Sequence, residues 1–179
     1  MIQISEDLLL LPVQPEDAEA IFTLTDQDRP YLREWLPWVD GTKSVEDSLE
    51  YIKFSQIGGK AGTLLNLAII WKGDIVGITG FNKIDRTHRI AYIGYWLGRD
   101  YQGHGIMTQA AKALTTYAFN ELQSNKVEIR AAVGNKKSRS IPERLGFVQE
   151  GILRSNEWLY DHFVDHVVYG MLADEWEDK

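Results

Sequence analysis

One stretch, Tyr95-Trp96-Leu97-Gly98-Arg99-Asp100-Tyr101-Gln102-Gly103-His104-Gly105-Ile106-Met107, constrains the fold more than any other. Ile90 to Leu97 is rich in aromatic and β-branched residues and reads as a strand. Gly98 to Gly105 reads as a loop. Ile106 to Leu122 has helical spacing, with Ala110, Ala111, Leu114 and Ala118 on one small apolar face. A strand that feeds a glycine loop and then a long helix aims unpaired helical N–H groups at one spot. The helix dipole adds positive potential there, and the combination binds anions. Gly103 and Gly105 let the backbone come close to a phosphate. The expectation is a pyrophosphate cradle on the N–H groups of Gly103 to Met107, made without a metal.

The rest of the chain supplies the frame for that loop. Leu8 to Val13 reads as a strand ending at Pro15, and Pro15-Glu16-Asp17 opens a helix carrying Ala18, Ile21 and Leu24. Arg29 to Trp38 reads as irregular, with Pro37 as a breaker. Ser44-Val45-Glu46-Asp47 has the form of a helix start, and Gly58-Gly59 is expected to end that helix. Leu64 to Trp71 and Ile75 to Phe81 are strand-like, joined by Lys72-Gly73-Asp74 as a hairpin turn. Val127 to Val133 is a further strand, followed by a short helix that stops at Gly146. Strands near Val148 to Trp158 and His166 to Leu172 finish the chain. This order makes an α/β (α+β) protein: a mixed central sheet of about seven strands flanked by helices, one domain over 1–179.

Bulk properties narrow the function. The net charge of −7 argues against a nucleic-acid partner, which needs a basic face. With no cysteine there is no disulfide, thiolate metal site or Cys nucleophile. The N-terminus lacks the basic and apolar regions of a signal peptide, and no apolar run is long enough for a bilayer. A cytoplasmic protein with no membrane contact is expected, and a homo-oligomer is compatible with the exposed aromatics that Trp35 and Trp38 represent.

Three phosphate-binding patterns compete for the glycine loop. A P-loop requires G-x-x-x-x-G-K-[ST], which is absent. A dinucleotide fingerprint requires a third glycine, where Thr108 stands, and a parallel strand context. Gln102-Gly103-His104-Gly105-Ile106-Met107 fits Q/R-x-x-G-x-G/A, with Met107 in the place of the last Gly/Ala. Downstream, Asn135-Lys-Lys-Ser138-Arg-Ser140-Ile-Pro-Glu143-Arg-Leu145-Gly146-Phe147 follows one strand later. Upstream stands Trp35-Leu36-Pro37-Trp38. Together these motifs resemble the GNAT acetyltransferases, and in particular their RimJ/RimL-like branch of ribosomal-protein N-acetyltransferases. The resemblance runs from Leu10 to Trp176 and departs at Leu11, where an Arg is frequent.

The resemblance implies a central strand pair that splays apart, acetyl-coenzyme A as donor, and no metal. It implies donor contacts from Trp96, Leu97, Gln102, Gly103, His104, Gly105, Ile106, Met107, Asn135 and Ser138. Exposed N–H groups along Ile93 to Leu97 would stabilise the developing oxyanion. The tyrosine that often serves as general acid in the family is replaced by Pro142, which has no proton to give. Ser138 then matches the serine presented to the thiol, and Glu157 matches a base on a late strand; these are the expected catalytic pair. Competing structural roles are helix capping for Asn135 and Ser138, capping by Ser140 through Ser140-Ile141-Pro142-Glu143, and plain strand exposure for Glu157. Tyr160, His162 and His166 are alternative bases. Trp35 and Trp38 are expected to line the acceptor side. A peptide α-amine, with a pKa near 7.7–8.0 against ~10.4 for Lys, suits a weak base. The expected acceptor is therefore the N-terminus of a protein, with a ribosomal protein as the candidate that the resemblance implies and a small amine such as a polyamine or amino sugar as the alternative. A coenzyme A-binding protein without turnover is the remaining reading.

Overall fold

The chain is described by a computed structural model, which covers residues 1–176. Its strands are β1 (Ile2–Gln3), β2 (Leu8–Pro12), β3 (Leu65–Trp71), β4 (Asp74–Asp85), β5 (Ile90–Leu97), β6 (Lys126–Ala132), β7 (Val148–Leu159) and β8 (His162–Leu172). Its α-helices are α1 (Ala18–Gln27), α2 (Arg29–Arg33), α3 (Val45–Ala61), α4 (Ile106–Asn120) and α5 (Lys136–Arg144). All eight strands form one sheet in the order β1-β2-β3-β4-β5-β6-β8-β7. Only β5 and β6 run parallel; every other neighbouring pair is antiparallel. This is the expected mixed α/β sheet, with the two-residue β1 as an additional edge strand.

Each face of the sheet carries its own core. Ala110, Ala111, Leu114 and Ala118 of α4 press against Phe81, Ala91, Ile93, Val127 and Ile129. The alanines keep that helix close to the strands, as their spacing predicts. On the other face, Ala18 and Ile21 of α1 and Ile52 of α3 pack on Ala68 and Ile78. Among the described residues no helix is long and apolar enough to cross a membrane.

Three local expectations are corrected. Arg29 to Arg33 is helical, because Pro30 sits in the first turn, where it loses no hydrogen bond. Arg29 fixes this segment by donating to the carbonyls of Val39 (2.6 Å) and Thr42 (2.8 Å). Helix α3 runs through Gly58-Gly59 and ends at Gly62, which takes the left-handed conformation (φ 68°) and caps it. Gly58 lies inside the helix because a Cβ there would sit 2.5 Å from Leu64 Cγ. The last hairpin turns at Tyr160-Asp161, so β8 begins at His162 and not at His166.

The parallel pairing of β5 and β6 covers only Ile90↔Lys126 to Ile93↔Ile129. Beyond it, β5 stays bonded to β4 as far as Leu97↔Gly77, while β6 stays bonded to β8 as far as Ala132↔His166. The sheet therefore opens into a V between Gly94–Leu97 and Arg130–Ala132.

Candidate active site

The V is the place where the backbone itself has hydrogen bonds to give. Gly98 donates its N–H to Val76 on the β4 side, at 2.8 Å. Backbone groups alternate in direction along a strand, so Tyr95 and Leu97 turn their N–H and C=O groups the other way, into the gap.

Two clefts flank this opening. A cleft of about 680 Å³ runs along the glycine loop and the start of α4, bounded by Tyr31, Gln102, Gly103, Gly105, Lys137 and Arg144. A second, of about 880 Å³, lies toward α1 and α3, bounded by Tyr51, Phe54, Ile78, Tyr92, Glu157 and His166. Trp35, Leu36, Tyr95, Trp96, Asn135 and Ser138 line both, so the clefts meet at these side chains. Trp35 rests on Gly134, whose missing Cβ would lie 3.2 Å from the indole. The Trp38 and Trp96 rings stand 5.8 Å apart.

The smaller cleft has the features of a phosphate cradle. Gly103 (φ 82°) and Gly105 (φ 72°) adopt left-handed conformations. A Cβ on Gly103 would meet nothing within 4 Å, and one on Gly105 only the Gln109 amide at 3.7 Å, so packing within the protein does not require either glycine to be small. No side chain caps α4, leaving its first N–H groups to a ligand. Cations stand beside it: Lys137 donates to Gln102 Oε1 (3.0 Å), and Arg144 donates to Thr108 (3.0 Å) and Ser140 (3.0 Å). Gln102 also bonds the Tyr31 hydroxyl. Lys137, Arg144 and Tyr31 escaped the sequence reading; the only hint was a pair of basic residues bracketing a short helix. The His104 side chain turns away from the cleft and stacks on Trp71 of the β3–β4 hairpin, with ring centroids 4.9 Å apart. The donor set therefore fits a coenzyme A pyrophosphate: glycine backbone, helix N–H groups without a side-chain cap, and two cations.

Helix α5 answers the capping question. Asn135 is its N-cap: the side-chain oxygen accepts the Ser138 N–H at 3.1 Å. Neither serine caps. Ser140 lies within the helix and donates to the Lys137 carbonyl at 2.7 Å, which corrects the capping box expected at Ser140-Ile141-Pro142-Glu143. Pro142 also lies inside α5. Having no N–H, it cannot give the Ser138 carbonyl its i+4 bond. The Tyr95 hydroxyl makes up the loss, donating to that carbonyl at 2.9 Å, while Ser138 Oγ lies 3.5 Å from the same hydroxyl. Burial pushes the Tyr95 phenol well above its usual pKa, so it stays a donor at neutral pH. Tyr95 thereby ties β5 to α5 and holds Ser138 at the junction of the clefts.

Across the larger cleft, Glu157 Oε2 lies 3.2 Å from His166 Nε2, and Asn156 Nδ2 lies 3.1 Å from His166 Nδ1. The bulge between Leu153 and Glu157 turns Glu157 toward this cleft. Tyr160 donates to the Leu36 carbonyl at 2.5 Å beneath the Arg33 guanidinium, which fastens the β7–β8 hairpin to the Trp35–Trp38 segment. His162 pairs with Asp161 at the hairpin tip. Asp47 is occupied at the start of α3 by the N–H groups of Lys43 and Ser44. Among the described residues no group of three His, Asp or Glu side chains is arranged to hold a metal.

Comparison with known proteins agrees with this geometry. Residues 7–148 match the acetyltransferase (GNAT) domain family. The chain is 34% identical to the putative ribosomal N-acetyltransferase YdaF of Bacillus subtilis, over 99% of this chain and 97% of that one. It superposes on RimL, a ribosomal L7/L12 α-N-protein acetyltransferase in complex with coenzyme A, with TM-score 0.93 and 26% identity, covering 98% and 99% of the two chains. It superposes on the microcin C7 self-immunity acetyltransferase MccE, in complex with acetyl-CoA and AMP, with TM-score 0.91 and 31% identity over 94% of each chain. A sheet opened between two clefts, a glycine cradle at a helix start and these relatives lead to one assignment: the chain belongs to the GNAT acetyltransferase family and is an N-acetyltransferase.

Proposed function

We propose that this enzyme transfers the acetyl group of acetyl-coenzyme A to the N-terminal α-amine of a protein, a ribosomal protein being the candidate class. The observation that carries the proposal is the meeting of the two clefts at Tyr95, Trp96, Asn135 and Ser138, with the Glu157–His166 pair facing only the larger one. A donor held along the glycine loop and an amine arriving past Trp35 and Trp38 meet there. The ribosomal acceptor is supported by the names of YdaF and RimL.

Gly103, Gly105 and the first turn of α4 would hold the pyrophosphate, with Lys137 and Arg144 neutralising charge. Bound acetyl-coenzyme A supplies an acetyl thioester at the V. The N–H groups of Tyr95 and Leu97 are aimed to donate to its carbonyl oxygen as negative charge grows there. Glu157, steadied by His166, takes the proton from the amine directly or through one water. Ser138 Oγ, 3.5 Å from the Tyr95 hydroxyl, gives its proton to the departing sulfur and takes one back from the amine nitrogen as the amide forms. Pro142, at the position of the family's frequent tyrosine, leaves this last task to the serine.

The experiment compares a peptide with a free N-terminus, the same peptide blocked at that end but carrying a Lys, and spermidine, with thiol release as the readout. The free-terminus peptide should be acetylated fastest. Equal or faster turnover of either competitor refutes the α-amine reading. A small-molecule acceptor is the second reading, favoured by the AMP-bound relative MccE.

A further inference from the structure

The larger cleft is electrically lopsided. Its lining includes two cations, Lys83 and Arg130, and a single carboxylate, Glu157. The cations approach one ring from two strands, Lys83 from β4 and Arg130 from β6. Lys83 Nζ lies 5.3 Å and the Arg130 guanidinium 5.7 Å from the centre of the Tyr92 ring. The register accounts for this: Lys83 pairs with Tyr92, Tyr92 pairs with Glu128, and Arg130 is two residues beyond Glu128, so all point to one face. Each cation leans on a carboxylate outside the cleft lining, Asp85 at 3.2 Å and Glu128 at 2.6 Å. These carboxylate side chains are 17% and 7% exposed, whereas the cations are 62% and 40% exposed. The carboxylates hold the cations in place, and each cation keeps an exposed part that a ligand can reach.

Position along the strands gives a length. Tyr92 is three residues before Tyr95, which at about 3.3 Å per residue is about 10 Å. Arg130 is nearer the opening, at the first residue of β6 past its last pairing with β5. An extended acceptor covers the same span in two to four residues, at roughly 3.3–3.6 Å each.

We infer that Lys83 and Arg130 form an anion subsite that receives an acidic side chain carried by the second to fourth residue of the acceptor. The inference rests on the α-amine reading and names its substrate class: protein N-termini that begin with a free amine and turn acidic at once. The amine end lies by Glu157 and the anionic end by Lys83 and Arg130, so the cleft's polarity matches that of the acceptor. A polyamine would bring a second ammonium against the two cations, which sets it apart from this class.

The test uses the whole enzyme, acetyl-coenzyme A and three free-terminus peptides that differ only at positions three and four: Asp-Asp, Asn-Asn and Lys-Lys. At low salt kcat/KM should fall in that order, by about fivefold between the acidic and neutral peptides, the worth of one half-exposed ion pair. The difference should lie mainly in KM and shrink in about 0.5 M salt, where screening is short-ranged. In the Lys83→Gln/Arg130→Gln double variant the ratio of acidic to neutral peptide should approach one. Equal kcat/KM for the three peptides, or a ratio unmoved in the double variant, overturns the subsite while leaving the α-amine reading standing. Acetylation of spermidine with none of any peptide overturns both.

Discussion

Replacing Tyr95 with Phe removes one oxygen, and the cost should depend on residue 142. The Tyr95 hydroxyl donates at 2.9 Å to the Ser138 carbonyl, the group that Pro142 leaves without its i+4 partner. A net hydrogen bond contributes about 1 kcal/mol, and stranding its buried partner costs about 1–3 kcal/mol. The site borders a cleft where water can reach, so Tyr95→Phe should cost about 1.5 kcal/mol. Pro142→Ala restores an N–H at position 142. In that background Tyr95→Phe should cost about 1 kcal/mol less, since the carbonyl again has a helical partner. Urea unfolding of the wild type, the two single variants and the double variant measures this coupling directly. It does not matter that Pro142→Ala changes stability on its own account, because the cycle subtracts that effect. Costs of Tyr95→Phe that agree within about 0.4 kcal/mol in the two backgrounds would refute the reasoning.

Other outcomes follow from the site. Ser138→Ala should lower kcat while leaving the thermal midpoint nearly unchanged, because Asn135 provides the cap; a fall in stability with unchanged kcat would return Ser138 to a structural role. Asn135→Ala should cost about 1 kcal/mol in denaturant unfolding, the usual worth of a cap. Gly105→Val forces a β-branched residue to φ 72° and should both destabilise the fold by at least 1–2 kcal/mol, roughly, and weaken acetyl-coenzyme A binding by calorimetry; unchanged affinity in folded protein removes the loop from the donor site. Glu157→Gln should lower kcat/KM on the peptide about a hundredfold, most severely at low pH, where the α-amine is protonated; a uniform loss across pH would deny Glu157 the role of base.

What the sequence made legible was local and periodic. The strand Ile90–Leu97 was read to the residue, because aromatic and β-branched side chains run between clear breakers. The start of α4 at Ile106 followed from the glycines before it. The span of α3 was misread because Gly58 serves packing against Leu64, and a glycine's reason for being small is written in its neighbours. The tie between Tyr95 and Ser138 links residues 43 apart and answers a defect that Pro142 makes, so neither residue alone announces it. The lining of the larger cleft by Lys83 and Arg130 depends on registers across β4, β5 and β6, which periodicity does not specify.

The sheet's V also has a thermodynamic meaning. Two half-sheets, β1 to β5 and β6 to β8, are joined by a ladder of four residue pairs, and a ligand seated in the gap contacts both. Such a ligand binds the folded chain and has no site on the unfolded one. At a hundredfold excess over its dissociation constant it adds about 2.7 kcal/mol to the unfolding free energy, comparable with the loss of a buried leucine side chain. The lifetime of this enzyme against heat and proteolysis is therefore coupled to the supply of its donor: a chain kept saturated resists opening, and a starved one is easier to unfold and clear.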